Sequence, residues 1–88
     1  MNKKQFKEHY LNILNSSSIE NIIERQKYVS AEVQALADID GISFGKALEK
    51  LIYIFIDQYF KEDDEKVAER LQKVTSDLMM LNLLVEED

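Results

Sequence analysis

Apolar residues recur at helical spacing along the whole chain, and turn signals are few. There is no proline, and the only two glycines are Gly41 and Gly45. Side chains that recur every three or four residues share one face of an α-helix, whereas strands alternate every second residue. The pattern therefore predicts an all-α protein with a compact four-helix arrangement in a single domain, residues 1–88. The predicted helices cover residues 3–14, 18–39, 44–60 and 65–86, each bound being approximate.

Short polar side chains and one glycine mark the ends of these helices. Ser17 is followed three residues later by Glu20, which matches a capping box and places the start of the second helix at Ser18. Gly41 is predicted to end that helix in the left-handed conformation, and Ser43 to cap the third helix. The two helices are therefore expected to meet at a tight corner.

The second and third helices differ in how much of their surface is apolar. The second carries one stripe, which consists of Ile19, Ile22, Ile23, Val29, Val33, Leu36 and Ala37. The third is apolar on more than one face, at Phe44, Ala47, Leu48, Leu51, Ile52, Ile54, Phe55, Ile56 and Tyr59. Since a helix that is apolar around most of its circumference is buried, the third helix is predicted to be central.

The fourth helix carries two apolar surfaces. One follows alternating steps of four and three residues, as in an a/d seam, and consists of Val67, Leu71, Val74, Leu78, Leu81 and Val85. Further apolar residues lie on the other side of its last turns. One small domain can hardly bury both faces, and large exposed apolar patches mark interfaces. We therefore expect a homodimer or a bound partner protein here, with these contact residues: Leu78, Met79, Met80, Leu81, Leu83 and Leu84.

Composition and charge narrow the classes of function. Apolar residues make up 45% of the chain and charged residues 32%, a balance typical of one folded domain. There are no cysteines, which excludes disulfides and thiolate chemistry. The formal charge of -6 disfavours non-specific attraction to nucleic acid or anionic membranes and suits a basic partner. No segment is typical of a signal peptide or a membrane span, so we expect a cytoplasmic protein without a membrane partner.

No motif predicts catalysis, and we expect a protein that is not an enzyme. His9 is the single histidine and has no second histidine with which to bind a metal ion. Ser43 and Lys46 have a Ser-x-x-Lys spacing but lack the accompanying motifs. Asp63 or Asp64 is predicted to cap the fourth helix, because the acidic stretch around them lacks the ligand spacing of an EF-hand. No cofactor, metal ion or small-molecule substrate is expected.

Residues 29–52 resemble the helix-helix part of the ribbon-helix-helix DNA-binding regulators. The matching positions are Val29, Val33, Leu36 and Ala37, the corner Gly41-Ile42-Ser43, and Ala47, Leu48, Leu51 and Ile52. The resemblance implies a dimer whose paired strands contact DNA. The strand would then lie near residues 19–25, where Glu20 and Glu24 would face phosphate and repel it, and the capping box predicts helix instead. A strand shifted to residues 24–29 would present Arg25 and Lys27 to DNA, but it leaves the following helix one turn short for the family. The corner is also similar to that of a helix-turn-helix motif.

Two functional hypotheses follow from these features. The leading one is a small acidic, non-enzymatic regulatory protein that acts by protein–protein interaction. A basic nucleic-acid-binding protein whose site it blocks is one such partner. The alternative is a dimeric DNA-binding transcriptional regulator of ribbon-helix-helix or helix-turn-helix type, in which the residues that contact DNA are Arg25, Lys27, Lys46 and Lys50.

Overall fold

Four α-helices joined by short connections make up the described part of the chain. The computed structural model describes residues 2–85, and the predicted all-α class and helix order are confirmed there. The helices are α1 (Lys3–Asn15), α2 (Ile22–Asp40), α3 (Phe44–Lys61) and α4 (Glu65–Leu84), and a 3-10 turn (Ser16–Ser18) follows α1. No residue between 2 and 85 forms a strand. The predicted end of the fourth helix, at residue 86, lies outside the described residues.

The start of α2 differs from the predicted one. The side chain of Asn21 accepts a hydrogen bond at 3.0 Å from the backbone N–H three residues further on, so α2 begins at Ile22 and not at Ser18. Ser17 lies in the preceding 3-10 turn, where its hydroxyl oxygen accepts a hydrogen bond from Arg70 Nε of α4 at 3.1 Å. The prediction that Ser17 caps α2 is therefore wrong, because this hydroxyl joins the turn to α4 instead.

The corner between α2 and α3 is built as predicted. Gly41 has a φ of 64°, the left-handed conformation that glycine adopts at the least cost. The backbone N–H of Ile42 then donates to Ala37 O at 3.0 Å and satisfies a carbonyl at the end of α2. The Ser43 hydroxyl accepts from the backbone N–H of Lys46 at 3.1 Å and caps α3.

All four helices contribute to one apolar core. Its fully buried members are Ile13, Val29, Val33, Leu36, Ala37, Ala47, Leu48, Leu51, Phe55, Leu71, Val74 and Leu78. α3 packs against both α2 and α4, and its Phe55 stacks on Tyr10 of α1 with ring centroids 4.6 Å apart. Burial of such side chains stabilises the fold by about 1.5–3 kcal/mol for each large one. The a/d seam of α4 therefore faces this core.

A buried ion pair joins the start of α2 to α4. Arg25 Nε donates to Asp77 Oδ2 at 2.5 Å, and Arg25 Nη2 donates to Asp77 Oδ1 at 3.1 Å. A third bond runs from Arg25 Nη1 to the carbonyl oxygen of Ile19 at 2.9 Å. Hydrogen bonding to Asp77 raises the pKa of Arg25, against the opposing effect of burial. The guanidinium therefore stays charged, and its hydrogen bonds to Asp77 fix α2 against α4.

Candidate interaction surface

The outward face of α4 becomes apolar toward the end of the helix. Residues three and four apart lie on the same side of a helix, so Ser76, Met79, Met80 and Leu83 follow one another along the solvent side. Met79 and Met80 are about half exposed, at 50% and 46%. Leu83 and Leu84 are exposed to 84% and 72%. The last two turns of α4 thus present a run of large apolar side chains to solvent.

Side chains from α3 and α2 extend this run on either side. Phe60, in the last turn of α3, is 83% exposed and lines a cleft together with Met79. Ile22, the first residue of α2, is 47% exposed and lines a second cleft together with Met80. We call the combined surface the C-terminal apolar surface, and define it as Ile22, Phe60, Met79, Met80, Leu83 and Leu84.

The two clefts that flank this surface differ in chemistry. The α3–α4 cleft has a volume of about 280 Å³, and its walls include Ile56, Tyr59, Thr75 and Ser76 in addition to the two residues already named. The α2–α4 cleft, of about 320 Å³, is lined by charged residues, among them Glu69, Lys73 and the Arg25–Asp77 pair. The side of the surface next to α3 is therefore mainly apolar, whereas the side next to α2 is partly charged.

The residues predicted as contacts from the sequence fall into two groups. Met79, Met80, Leu83 and Leu84 are exposed, as just described. Leu78 is fully buried in the core, and Leu81 is half-buried and packs against it. Both belong to the a/d seam, which faces the inside of the bundle. Leu78 therefore lies outside the C-terminal apolar surface, and in the folded chain no partner reaches it.

Ile22 and Phe60 belong to the C-terminal apolar surface, but neither was predicted from the sequence as a contact residue. Ile22 lies seven residues before the buried Val29, and this helical spacing places it in the buried stripe of α2. In the structure, however, Ile22 is exposed, and Arg25 is the buried residue of this first turn. Phe60 lies four residues after Ile56, and that spacing was a signal that the two flank one cleft.

The four cations predicted as DNA contacts differ in their exposure and in the helix that carries them. Arg25 is buried and its guanidinium is bound to Asp77, so it is not available to a phosphate. Lys27, Lys46 and Lys50 are exposed. Lys27 lies on α2, whereas Lys46 and Lys50 are one turn apart on α3. Residues 22–29, which include much of the segment that the resemblance would place in a strand, are helical.

His9 has an acidic partner that its neighbours in the sequence do not reveal. His9 Nδ1 of α1 is 2.5 Å from Glu32 Oε2 of α2, and Asn12 Nδ2 donates to Glu32 Oε1 at 3.3 Å. The pair is separated by 23 residues along the chain, so only the packing of α1 on α2 brings it together. Within residues 2–85, the side-chain hydrogen bonds of the His9–Glu32 pair extend to Asn12 and to no hydroxyl group. The contact therefore holds α1 against α2.

Residues 2–85 contain no group of three or more histidine, cysteine, aspartate or glutamate residues arranged to hold a metal ion. None of the helices within that range combines the length and the apolarity needed to cross a membrane. Comparison of the chain with protein-family models, curated proteins and solved structures gives no match. Function is therefore inferred from the surface of the chain itself.

Proposed function

We propose that this chain is a small, non-enzymatic regulatory protein that acts by binding other proteins, and that the C-terminal apolar surface is the contact. The observation that carries the proposal is the exposure of six large apolar side chains on the outward face of α4 and on either side of it. Taking full areas of about 200 Å² for such side chains, they expose roughly 800 Å² together. Large exposed apolar surfaces mark protein–protein interaction sites.

Charge narrows the class of partner. The chain carries a formal charge of -6, and the acidic stretch 62–65 lies between the end of α3 and the first turn of α4. A protein with a basic binding site is attracted by this excess of negative charge, within the distance over which salt does not screen it. Nucleic-acid-binding proteins present such sites. The regulatory role that fits best is the occupation of a basic nucleic-acid-binding site.

Photo-crosslinking in the native host tests this proposal. A photoreactive residue at position 83 is expected to give protein adducts, whereas the same residue at position 39 should give few. Ile39 is the matched control because it is an exposed isoleucine of α2 that does not belong to the C-terminal apolar surface. Adding Leu84→Glu to the position-83 protein should reduce the adducts.

Two results would contradict the proposal. One is an equal yield of adducts at positions 83 and 39. The other is salt-dependent binding to duplex DNA that is lost in a Lys46→Ala, Lys50→Ala variant and accompanied by no protein adduct. The second result would favour the DNA-binding alternative, because loss of phosphate contacts lowers both affinity and its dependence on salt.

A further inference from the structure

We propose that the protein that covers the C-terminal apolar surface is a second copy of this chain, with the two α4 helices antiparallel across a two-fold axis. This inference rests on the proposed function, since it names the occupant of the same surface. Three features of the surface support it: its area, its shape and its lack of charge.

The exposed area matches what a dimer requires. A stable protein–protein interface of standard size buries about 800 Å² on each partner. The six side chains of the C-terminal apolar surface expose roughly that area, judged from their fractional exposures and full areas of about 200 Å² each. A second copy brings an equal apolar area, and antiparallel α4 helices cover the part of it that lies on α4.

The surface contains both a projection and a cavity of suitable size. Leu83 is the most exposed large apolar residue on α4, and it projects one turn beyond Met79. The α3–α4 cleft of about 280 Å³ begins at Met79 and extends back past Ser76, and none of the side chains that line it is charged. A two-fold interface is self-complementary, since residue i of one copy contacts residue j of the other and the reverse contact is also made. The projection of one copy can therefore enter the cleft of the other at two equivalent places.

Helical spacing fixes the register of this pairing. If the two-fold axis passes between Met79 and Met80, Leu83 and Ser76 are equally far from it in opposite directions along α4. Antiparallel α4 helices then place Leu83 of each copy over Ser76 of the other, at the opening of the α3–α4 cleft. The same rotation keeps the α3 side of one copy against the α3 side of the other. The charged α2–α4 cleft thus lies on the opposite edge of the interface.

The distribution of charge predicts how salt affects the dimer. The six residues of the surface are all uncharged, whereas each whole chain carries a formal charge of -6. Two copies therefore repel each other at long range and attract only through apolar contact. Because salt screens the repulsion, dimer affinity should increase with ionic strength. Binding to a basic protein through opposite charges would weaken under the same conditions.

Sedimentation equilibrium of the full chain measures the oligomeric state. We expect a dimer whose dissociation constant falls as salt is added. Leu83→Glu places a charge in the interface and should raise the dissociation constant at least ~100-fold. Ile39→Glu, the matched control, should leave it unchanged. Circular dichroism of both variants checks that each remains helical. A wild-type chain that stays monomeric at high concentration, or a Leu83→Glu variant as dimeric as the parent, would overturn the inference.

Disulfide trapping tests the register without removing the interface. The chain has no native cysteine, so engineered thiols give unambiguous products. A mixture of Ser76→Cys and Leu83→Cys chains should form a mixed disulfide dimer on mild oxidation. Neither variant alone should do so efficiently, because identical positions lie about 10 Å apart along antiparallel helices, beyond the reach of a disulfide. Rapid 83–83 or 76–76 disulfides would show a parallel pairing and refute the arrangement.

The inference and the proposed function fail in distinguishable ways. If the chain is a monomer and position 83 nevertheless forms adducts with a different protein in the host, the second copy is excluded and the proposed function stands. If the chain is a monomer and position 83 gives no adducts, both are refuted. A dimer that is strengthened by salt and trapped only as the 76–83 disulfide supports the inference. The proposed function is then supported only if a different protein also forms adducts with the chain in the host.

Discussion

Loss of one partner of the buried Arg25–Asp77 pair is expected to destabilise the fold severely. The Arg25 and Asp77 side chains are only 7% and 4% exposed, and two hydrogen bonds join them. Asp77→Leu would leave the guanidinium buried with Ile19 O as its single remaining partner in the structure. Removal of one member of such a pair costs about 3–5 kcal/mol, because the other charge has no compensation. Total stability for 88 residues is about 4–13 kcal/mol.

Urea denaturation followed by circular dichroism measures this cost. The matched control is Asp57→Leu, which breaks the pair between Lys61 Nζ and Asp57 Oδ2 at 2.9 Å. Both of those side chains are more than half exposed, so its loss should cost less than about 1 kcal/mol. The double variant Arg25→Met, Asp77→Leu replaces the charges by apolar side chains of similar size. It should recover most of the stability lost in Asp77→Leu.

Two outcomes would refute this reasoning about the pair. One is a loss in Asp77→Leu no larger than that in Asp57→Leu, which would mean that water reaches the guanidinium. The other is a double variant less stable than Asp77→Leu alone, which would mean that the side chains stabilise by shape and not by charge. Both comparisons use the same assay, so differences in baseline do not affect them.

Three further predictions concern the corner, the start of α2 and a tyrosine. Gly41→Ala should lower the free energy of unfolding by about 1–2 kcal/mol in urea denaturation, because the backbone φ at this position is 64°, although nothing lies within 4 Å of the added Cβ. Gly41→Asn should lower it by less. Equal losses in the two variants would contradict this reasoning. Asn21→Ala should lower the free energy of unfolding by about 1 kcal/mol and Glu20→Ala by less than half of that, since Asn21 provides the cap of α2. A larger effect of Glu20→Ala would instead support the capping box predicted from Ser17 and Glu20. Burial, with a smaller contribution from the charge of Glu62, raises the pKa of Tyr10, so stability should fall as pH rises above 10. Tyr10→Phe should reduce that fall in alkaline denaturation, and an unchanged profile would contradict the assignment.

Helical spacing predicted the fold well because it reports on a single physical requirement, the burial of one face. The a/d positions of α4 and the stripe from Val29 to Ala37 are the core in the structure. Glycine at position 41 was equally informative, since a left-handed residue ends a helix at a low cost only with glycine. These features are local, so the sequence alone specifies them.

Contacts between distant segments were not predictable in this way. Arg25 was named as a DNA contact in the alternative hypothesis, because its partner Asp77 lies 52 residues further along the chain and no local spacing reveals it. The Ser17 hydroxyl was expected to cap a helix, yet it accepts a hydrogen bond from Arg70, which lies 53 residues away in sequence. Leu78 and Leu83 are both apolar residues of one helix, and only the packing of α4 shows which of them is buried.

The methyl signals of Met79 and Met80 test the central claim most directly, because both side chains are half exposed within the C-terminal apolar surface. Carbon-13 labelled methionine in the intact chain allows both signals to be followed from dilute to concentrated solution. We predict that they shift together as concentration rises, and that Leu83→Glu abolishes the shift while Ile39→Glu does not. Signals that stay the same across the whole range, or that respond equally in the two variants, would contradict the assignment of this surface as an interface.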